Sequence, residues 1–134
     1  FYRLRRIGIR VEKIPSGGSG MLEGLAQAGE GDLVIFFAFS KLSSQGRVIL
    51  DCRKEAGYRT LAFTGRTYLM KEECADVNLY ACRGEEKEYH SMTAAAAVVD
   101  ALVLLVSKLT EEKTAKSLSR LHALKKKYGG ASGV

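Results

Sequence analysis

The chain has 134 residues, of which 46% are hydrophobic and 27% are charged. This length and this balance exclude a disordered chain and predict a single globular domain over residues 1–134, with a core of its own. The formal net charge of +6 favours anionic partners, such as phosphorylated metabolites, acidic surfaces or nucleic acid.

The cysteines and histidines indicate neither a metal site nor a disulfide framework. There are three cysteines and two histidines, and no two cysteines have C-x-x-C spacing. Unpaired thiols of this kind are typical of a reducing compartment, so we predict a cytoplasmic protein. The most apolar segment, Ala94 to Val106, contains Asp100 and is too short to span a bilayer. We therefore expect no membrane partner.

Strand-like and helix-like segments alternate in the first half of the chain. Ile9 to Ile14 is predicted to be a strand that ends at Pro15, and Ser19 is predicted to cap a helix that Gly29 and Gly31 end. Leu33 to Phe39 is apolar on both faces, which predicts a parallel strand with helices on both sides. A helix is predicted from Ser44 to Ala56.

The second half continues this alternation. Strands are predicted over Tyr58 to Thr64 and over Ala75 to Ala81, with a short helical link between them near Tyr68 to Glu73. Ser91 or Thr93 is predicted to cap a helix that ends at about Leu109. Thr110 is predicted to cap a final amphipathic helix, and residues 128–134 are predicted to be a frayed tail. The order predicts a three-layer α-β-α sandwich with a mainly parallel sheet.

Hydroxyl side chains follow successive strands of this predicted sheet. Ser40, Ser43 and Ser44 lie between a buried strand and a helix, Thr64 ends the next strand, and Ser91 opens the long helix. Parallel sheets bind ligands at the carboxyl ends of their strands, where helix N-termini favour anions. One interpretation is a site for a polyol phosphate. The other is that each serine only caps its helix.

Three stretches in this order carry a resemblance to a known family. "VIFFAFSKLSSQGRVI", "AGYRTLAFTG" and "ADVNLYACRGEEKEYHSMTAAAAVVDAL" resemble the sugar isomerase (SIS) phosphosugar-binding domain. The version in RpiR/MurR-type bacterial transcriptional regulators is the most similar, and the resemblance covers about Leu4 to Leu109.

The resemblance implies a flavodoxin-like fold that binds a sugar phosphate. By position, Ser40, Ser43 and Ser44 would hold the phosphate, and Thr64 and Ser91 would face the sugar. The chain departs from the family pattern at two positions of this site. Lys41 stands where the widespread form has glycine, and Gly65 replaces an Asp or Asn.

A further departure concerns the family's first strand, which is central in the strand order 2-1-3-4-5 and is missing here. The chain begins at Phe1, within what is predicted to be the end of a basic helix, so we expect a fragment or a processed product. Without that strand, uncovered apolar side chains are expected on Val34, Ile35 and Phe37. We therefore predict a homodimer or a larger assembly.

Two functions remain open at this stage, and a third interpretation is a fragment that keeps the fold but has lost ligand binding. The first is an effector-sensing domain of an RpiR-type regulator, which binds a sugar phosphate without turnover or cofactor and reaches DNA only through a separate upstream domain. The second is a phosphosugar isomerase in which Glu86 or Glu88 acts as the base and His90 opens the ring. The other interpretation of these last residues is a solvated loop.

Overall fold

The computed structural model describes residues 1–85 and 87–129 of the chain. In the described residues, three parallel strands form one sheet in the order β1-β2-β3. The strands are β1 (Leu33–Ala38), β2 (Arg59–Thr64) and β3 (Val77–Tyr80). The helices are α1 (Tyr2–Arg6), α2 (Ser19–Gln27), α3 (Ser44–Ala56), α4 (Thr93–Leu109) and α5 (Glu111–Tyr128), with a 3-10 turn at Lys71–Glu73. The predicted α/β class with a parallel sheet is confirmed.

The chain divides into two compact units. One contains residues 14–98, and the other contains residues 1–13 and, of the described residues, 99–129. The sheet and every predicted ligand residue lie in the first of these, which we call the sheet unit. The single domain over residues 1–134 stays a prediction, and the part of the predicted tail after residue 129 lies outside the described residues.

The sheet unit has its core on the side of the sheet that α2 and α3 cover. Val34 packs with Met21 and Leu25 of α2, and Phe36 packs with Leu50 of α3. Side chains that alternate along a strand point to opposite faces, so the intervening residues of β1 point away from this core. These intervening side chains are exposed: Leu33 by 50%, Ile35 by 37% and Phe37 by 59%.

The prediction that helices cover both faces of the first long strand is therefore wrong for β1. Val34 is buried, contrary to the expectation that it would be uncovered, whereas Ile35 and Phe37 are exposed as expected. The apolar run alone could not reveal this, because a strand at the edge of a sheet has the same composition as a central one.

Helix α3 begins and ends where the sequence predicts. The Ser43 hydroxyl accepts a hydrogen bond from the Gly46 N–H at 3.1 Å, which satisfies one of the free donors of the first turn. Gly57 ends the helix in the left-handed conformation at φ 78°, which glycine adopts without steric strain.

The predicted strand over Ile9 to Ile14 does not form. The backbone from residue 9 to residue 14 has no regular secondary structure and pairs with none of the three strands. A strand requires a neighbour for its N–H and C=O groups. Within the described residues no strand lies beside this segment, so its strand-like composition is not sufficient for a strand to form.

The second unit is helical. Helices α1 and α5 contact each other, and Arg3 of α1 forms an ion pair with Asp100 of α4. No single helix of the described residues is long and apolar enough to cross a membrane. Helices α4 and α5 reach that length and composition only as a pair, and the pair is bent by 101°.

Candidate functional site at the carboxyl ends of the strands

The segments that follow β1 and β2 lie against each other. Ala38 is opposite Thr64 in the parallel register, so the two strands end side by side. A side chain at Gly65 would place its Cβ 2.6 Å from the carbonyl oxygen of Phe39, which is closer than any real contact. This close approach explains the departure from the family's Asp or Asn, because only glycine fits at residue 65 in this arrangement.

The serines after β1 surround the beginning of α3. Ser43 is the N-cap residue, and Ser44 is the first residue of the helix and donates to the Gln45 side-chain oxygen at 3.1 Å. The Ser40 hydroxyl has no hydrogen-bond partner in the part of the chain that the structure describes. Within that same part, the backbone N–H groups of Ser44 and Gln45 also have no acceptor. The first turn of α3 therefore offers two unpaired donors to an anion.

Leu42 holds this serine loop against the core. Its side chain is 9% exposed and packs with Phe36 and Leu50. A Cβ at Gly46 would lie 2.4 Å from Cδ1 of Leu42, so glycine at residue 46 leaves the space that the leucine occupies. Because Leu42 points into the core, the neighbouring Lys41 and Ser43 are exposed.

Thr64 is more enclosed than the resemblance implies. Its side chain is 2% exposed, and its hydroxyl accepts a hydrogen bond from the Arg66 N–H at 3.1 Å. The Thr64 carbonyl oxygen accepts from the Ala81 N–H at 2.8 Å, which ties the segment after β3 to the end of β2. In this structure Thr64 connects the segments of the site, and its own hydroxyl is largely out of reach of solvent.

Ser91 is joined to the segment after β3. Its N–H donates to the carbonyl oxygen of Arg83 at 2.8 Å, and its hydroxyl accepts from the Thr93 N–H at 3.2 Å. The guanidinium carbon of Arg83 lies 4.8 Å from the ring centroid of Phe39, the residue before Ser40. Arg83 therefore connects Ser91 to Phe39, and the segment after β3 contacts the segment after β1.

Arg83 is the residue of this site that the sequence prediction missed. It stands three residues after β3, at the edge where the serines and Thr64 were identified. The available signal was its position, since a cation at the carboxyl end of a parallel strand is suited to an anionic ligand. The motifs of the resemblance contain serine and threonine residues, so only hydroxyl side chains were predicted to bind the ligand.

The two described residues of the isomerase alternative, Glu88 and His90, are exposed and have no positioned partner base among the described residues. One oxygen of the Glu88 carboxylate accepts a long hydrogen bond of 3.4 Å from the Glu85 N–H, and the His90 side chain is exposed. Glu86 lies outside the described residues. Within the described ranges 1–85 and 87–129, no three His, Cys, Asp or Glu side chains cluster as they would around a metal ion.

A thiol and a phenol next to the site influence each other's proton affinity. The pKa of Cys82 is lowered, mainly because its thiolate accepts from the Gly84 N–H and also because it accepts from the Tyr80 hydroxyl. The hydrogen bond between the Tyr80 hydroxyl and Cys82 also raises the pKa of Tyr80. Both side chains are in solvent, so at neutral pH the Cys82 thiol is a somewhat stronger acid than a free thiol.

A shallow cavity of about 480 Å³ lies beside the ends of β2 and β3. Of the predicted ligand residues, only Thr64 lines it. Glu73, near the same strand ends, lies 2.9 Å from a guanidinium nitrogen of Arg66 and 3.7 Å from one of Arg47, so neither of these arginines is a free cation. The other lining residues are Arg66, Thr67, Tyr68, Leu69, Cys74, Asn78 and Tyr80.

A comparison with solved structures identifies the fold. The chain superposes with a TM-score of 0.79 on the sugar isomerase domain of an RpiR transcription factor from Sphaerobacter thermophilus. The chain has a sugar isomerase fold. The similarity covers 92% of this chain and 69% of the other, at 24% sequence identity. It confirms the fold that the sequence resemblance implied. No protein-family model matches the chain, and no curated protein matches it.

The residues of this sugar isomerase fold that were predicted to bind ligand fall into two groups. Ser40, Ser43 and Ser44 lie together around the N-terminus of α3, and Ser91 is connected to them through the Arg83 and Phe39 contact. Thr64 lies between the two groups with a buried hydroxyl. That these side chains bind a ligand stays a prediction, which calorimetry can test.

Proposed function

We propose that the sheet unit binds a sugar phosphate at the N-terminus of α3, as the effector-sensing domain of an RpiR-type transcriptional regulator. The observation that carries this proposal is that, among the described residues, the N–H groups of Ser44 and Gln45 and the nearby Ser40 hydroxyl have no hydrogen-bond partner. A 13-residue helix also contributes a positive partial charge at this end. These are the features that bind a phosphate in proteins.

The serine that caps the helix can still contribute to phosphate binding. The Ser43 hydroxyl uses one acceptor site for the Gly46 N–H, and its own proton remains available for donation. Capping and phosphate binding therefore do not compete at this residue. Lys41 adds an exposed positive charge to the same loop, where the family pattern has an uncharged glycine.

The regulatory part of the proposal is supported by the fold. The superposed protein from Sphaerobacter thermophilus is described as a transcription factor with a sugar isomerase domain. By analogy, this chain senses the sugar phosphate in the cytoplasm, and a separate upstream domain contacts DNA. We expect the unit to need no cofactor and to assemble at least as a dimer.

We propose binding without turnover because the described residues of the site, which do not include Glu86, contain no acid–base pair. Glu88 and His90 are exposed, and the hydrogen bond that Glu88 accepts comes from the backbone of its own loop. A catalytic base needs a position within reach of the proton that it removes. The isomerase alternative remains a hypothesis that the turnover assay in the Discussion tests.

Calorimetry with glucose 6-phosphate, fructose 6-phosphate and glucosamine 6-phosphate tests the proposal. Ser40→Ala and Ser43→Asp are the informative variants. Aspartate is as good an N-cap as serine, so Ser43→Asp keeps α3 stable and places a negative charge where the phosphate would bind. We expect it to abolish binding of the ligand that the parent protein binds. Ser40→Ala should weaken that binding about tenfold, since it removes one hydrogen bond to a charged group.

The matched control is Ser119→Ala, which removes an exposed serine hydroxyl from α5. It should leave the affinity unchanged. An affinity for Ser43→Asp equal to that of the parent would exclude the N-terminus of α3 as the phosphate site. Absence of binding by the folded parent to every compound of the panel would reject the proposed function itself.

A further inference from the structure

Arg83 occupies a fixed position at the strand ends. Its guanidinium stacks on the ring of Phe39 with 4.8 Å between the guanidinium carbon and the ring centroid. Its carbonyl oxygen accepts a hydrogen bond of 2.8 Å from the Ser91 N–H, so backbone and side chain are both anchored. Gly84 follows in a conformation with φ +107°, which lets the chain turn away immediately after the arginine.

The guanidinium group of Arg83 lacks the partners that the other arginines of the site have. Its Nε is buried and has no hydrogen-bond partner among the residues that the structure describes. No ion pair of the described residues includes Arg83, although Glu85 and Glu88 are close in the sequence. By contrast, Arg53 and Arg66 pair with Asp76 and Glu73.

An unpaired buried donor on a charged group is unfavourable, and native structures retain few of them. The stacking on Phe39 holds the planar group in place but supplies no hydrogen-bond acceptor. The buried Nε is out of reach of solvent, but the terminal guanidinium nitrogens also form no hydrogen bond or ion pair within the described residues, and a molecule that binds beside the ring would give them an acceptor. A guanidinium prefers a carboxylate or a phosphate, because two parallel N–H groups match two oxygen atoms.

From these observations we infer that Arg83 binds a carboxylate of the ligand, and that the unit takes a phosphorylated sugar acid in preference to a neutral sugar phosphate. This inference rests on the proposed function, in which the N-terminus of α3 already binds the phosphate. Phe39 immediately precedes Ser40, and its ring centroid lies 5.8 Å from that of Phe37, which points away from α3. A ligand that contacts both the guanidinium and the N-terminus of α3 would therefore extend across the carboxyl edge of β1. One ligand with a phosphate at one end and a carboxylate at the other would then bind both the N-terminus of α3 and the Arg83 guanidinium.

A pair of ligands that differ at one end isolates this contact. 6-Phosphogluconate and glucose 6-phosphate share the phosphate, and only the first has a carboxylate. We expect calorimetry to give 6-phosphogluconate an affinity at least about tenfold higher, which is the size of a charge-assisted hydrogen bond. Arg83→Gln should remove this preference and leave the affinity for glucose 6-phosphate within about twofold of the parent.

Two further variants separate a specific contact from a general effect of charge. Arg83→Lys keeps the positive charge and loses the planar fork, so it should keep only part of the preference. Arg59→Gln removes an exposed arginine from the first residue of β2, at the opposite end of the sheet. It should leave the preference for 6-phosphogluconate intact. Far-ultraviolet circular dichroism of each variant verifies that it is folded.

Each outcome has a consequence for the assignment. Equal affinity of the parent protein for the two ligands would overturn the carboxylate contact while leaving the phosphate site in place. An equal loss of affinity for both ligands in Arg83→Gln would overturn it too, because the arginine would then act on the shared phosphate or on the structure. If neither ligand bound the folded parent, the inference and the proposed function would both fail. A preference that Arg83→Gln removes and Arg59→Gln preserves would support the inference.

Discussion

The Thr60 hydroxyl donates a hydrogen bond of 2.7 Å to Oδ2 of the Asp76 carboxylate, and the Asp76 N–H donates back to the Thr60 hydroxyl oxygen at 3.0 Å. The Thr60 N–H reaches the same carboxylate oxygen at 2.7 Å. Arg53 adds a hydrogen bond of 2.9 Å to the threonine hydroxyl and lies 3.3 Å from Oδ1 of Asp76. This reciprocal pair joins β2 to the residue immediately before β3, so it fixes the start of the third strand.

Replacing the threonine tests how much this junction contributes to stability. Thr60→Val keeps the shape of the side chain and removes the hydroxyl, while Thr60 itself is 0% exposed. Arg53 and Asp76 each then lose a hydrogen-bond partner, although their side chains, which are 25% and 43% exposed, keep some access to water. We expect the free energy of unfolding in urea to fall by about 1–3 kcal/mol. Thr67→Val, at an exposed threonine, is the control and should change it by less than about 0.5 kcal/mol. Similar values for both variants would contradict the role of the junction.

The same junction makes a prediction for acid stability. The pKa of Asp76 is lowered, first by the Thr60 hydroxyl and also by the Thr60 N–H and Arg53. A carboxyl group whose pKa is lower in the folded state than in the unfolded state stabilises the folded state. This contribution is fully present at pH values above the pKa of aspartate in the unfolded chain, which is about 3.9. This stabilisation is lost as the pH falls through the folded-state pKa.

Urea unfolding at several pH values between about 6 and 3 measures this loss. We expect Asp76→Asn to be less stable than the parent at neutral pH and to lose less stability as the pH falls. The two curves should converge at the acid end. Parallel curves over the whole range would show that Asp76 contributes nothing to the acid sensitivity.

The contact between Gly65 and Phe39 predicts a second destabilising substitution. Gly65→Ala would place a methyl group 2.6 Å from a backbone carbonyl oxygen, which cannot rotate away as a side chain can. We expect a loss of about 1–3 kcal/mol in the free energy of unfolding, as for other overpacked sites. Gly17→Ala is the matched control, because its nearest atom would be 3.9 Å away. A neutral Gly65→Ala variant would mean that the two strand ends are less closely packed than described.

The sequence predicted the helices and the paired strands well because their signals are local. The Ser43 cap and Gly57 define both ends of α3 without reference to any other segment. The strand predicted at residues 9–14 was wrong because pairing depends on a distant partner, which local composition does not report. The exposure of Ile35 and Phe37 was expected from the resemblance and not from the apolar run, since apolar residues alone do not reveal whether a helix covers them.

For the candidate site, sequence reasoning located the serine loop and missed the arginine. Ser43 and Ser44 lie at the helix N-terminus because capping preferences are local. Arg83 reaches the site through stacking on Phe39, a residue 44 positions earlier in the chain, and no spacing rule predicts such a contact. The buried hydroxyl of Thr64 was also beyond reach, because it depends on how the segment after β2 folds back.

A turnover assay separates the sensor from the isomerase. If the unit only binds its ligand, incubation with fructose 6-phosphate or glucosamine 6-phosphate should give no aldose–ketose interconversion in proton NMR spectra. Among the described residues, no positioned base lies near Glu88 or His90. A known phosphoglucose isomerase under the same conditions is the positive control. Turnover that Glu86→Gln or Glu88→Gln abolishes would replace the sensor proposal with the isomerase.

The last prediction concerns the open side of β1. Within the described residues β1 pairs only with β2, so one row of its N–H and C=O groups has no strand beside it. Leu33, Ile35 and Phe37 add exposed apolar area along the same strand. An uncovered apolar edge strand favours association, because pairing satisfies the backbone and buries the side chains.

We therefore expect the 14.6 kDa chain to sediment as a dimer or a larger species at micromolar concentration. Ile35→Lys places a charge on the exposed face of β1 and should shift the equilibrium toward the monomer, as charged edges do in natural sheets. Leu109→Lys, at an 84% exposed leucine at the end of α4, is the matched control and should leave the assembly unchanged. A folded monomer for the parent chain would refute the association, and a monomer for the control variant alone would assign the interface to α4 instead of β1.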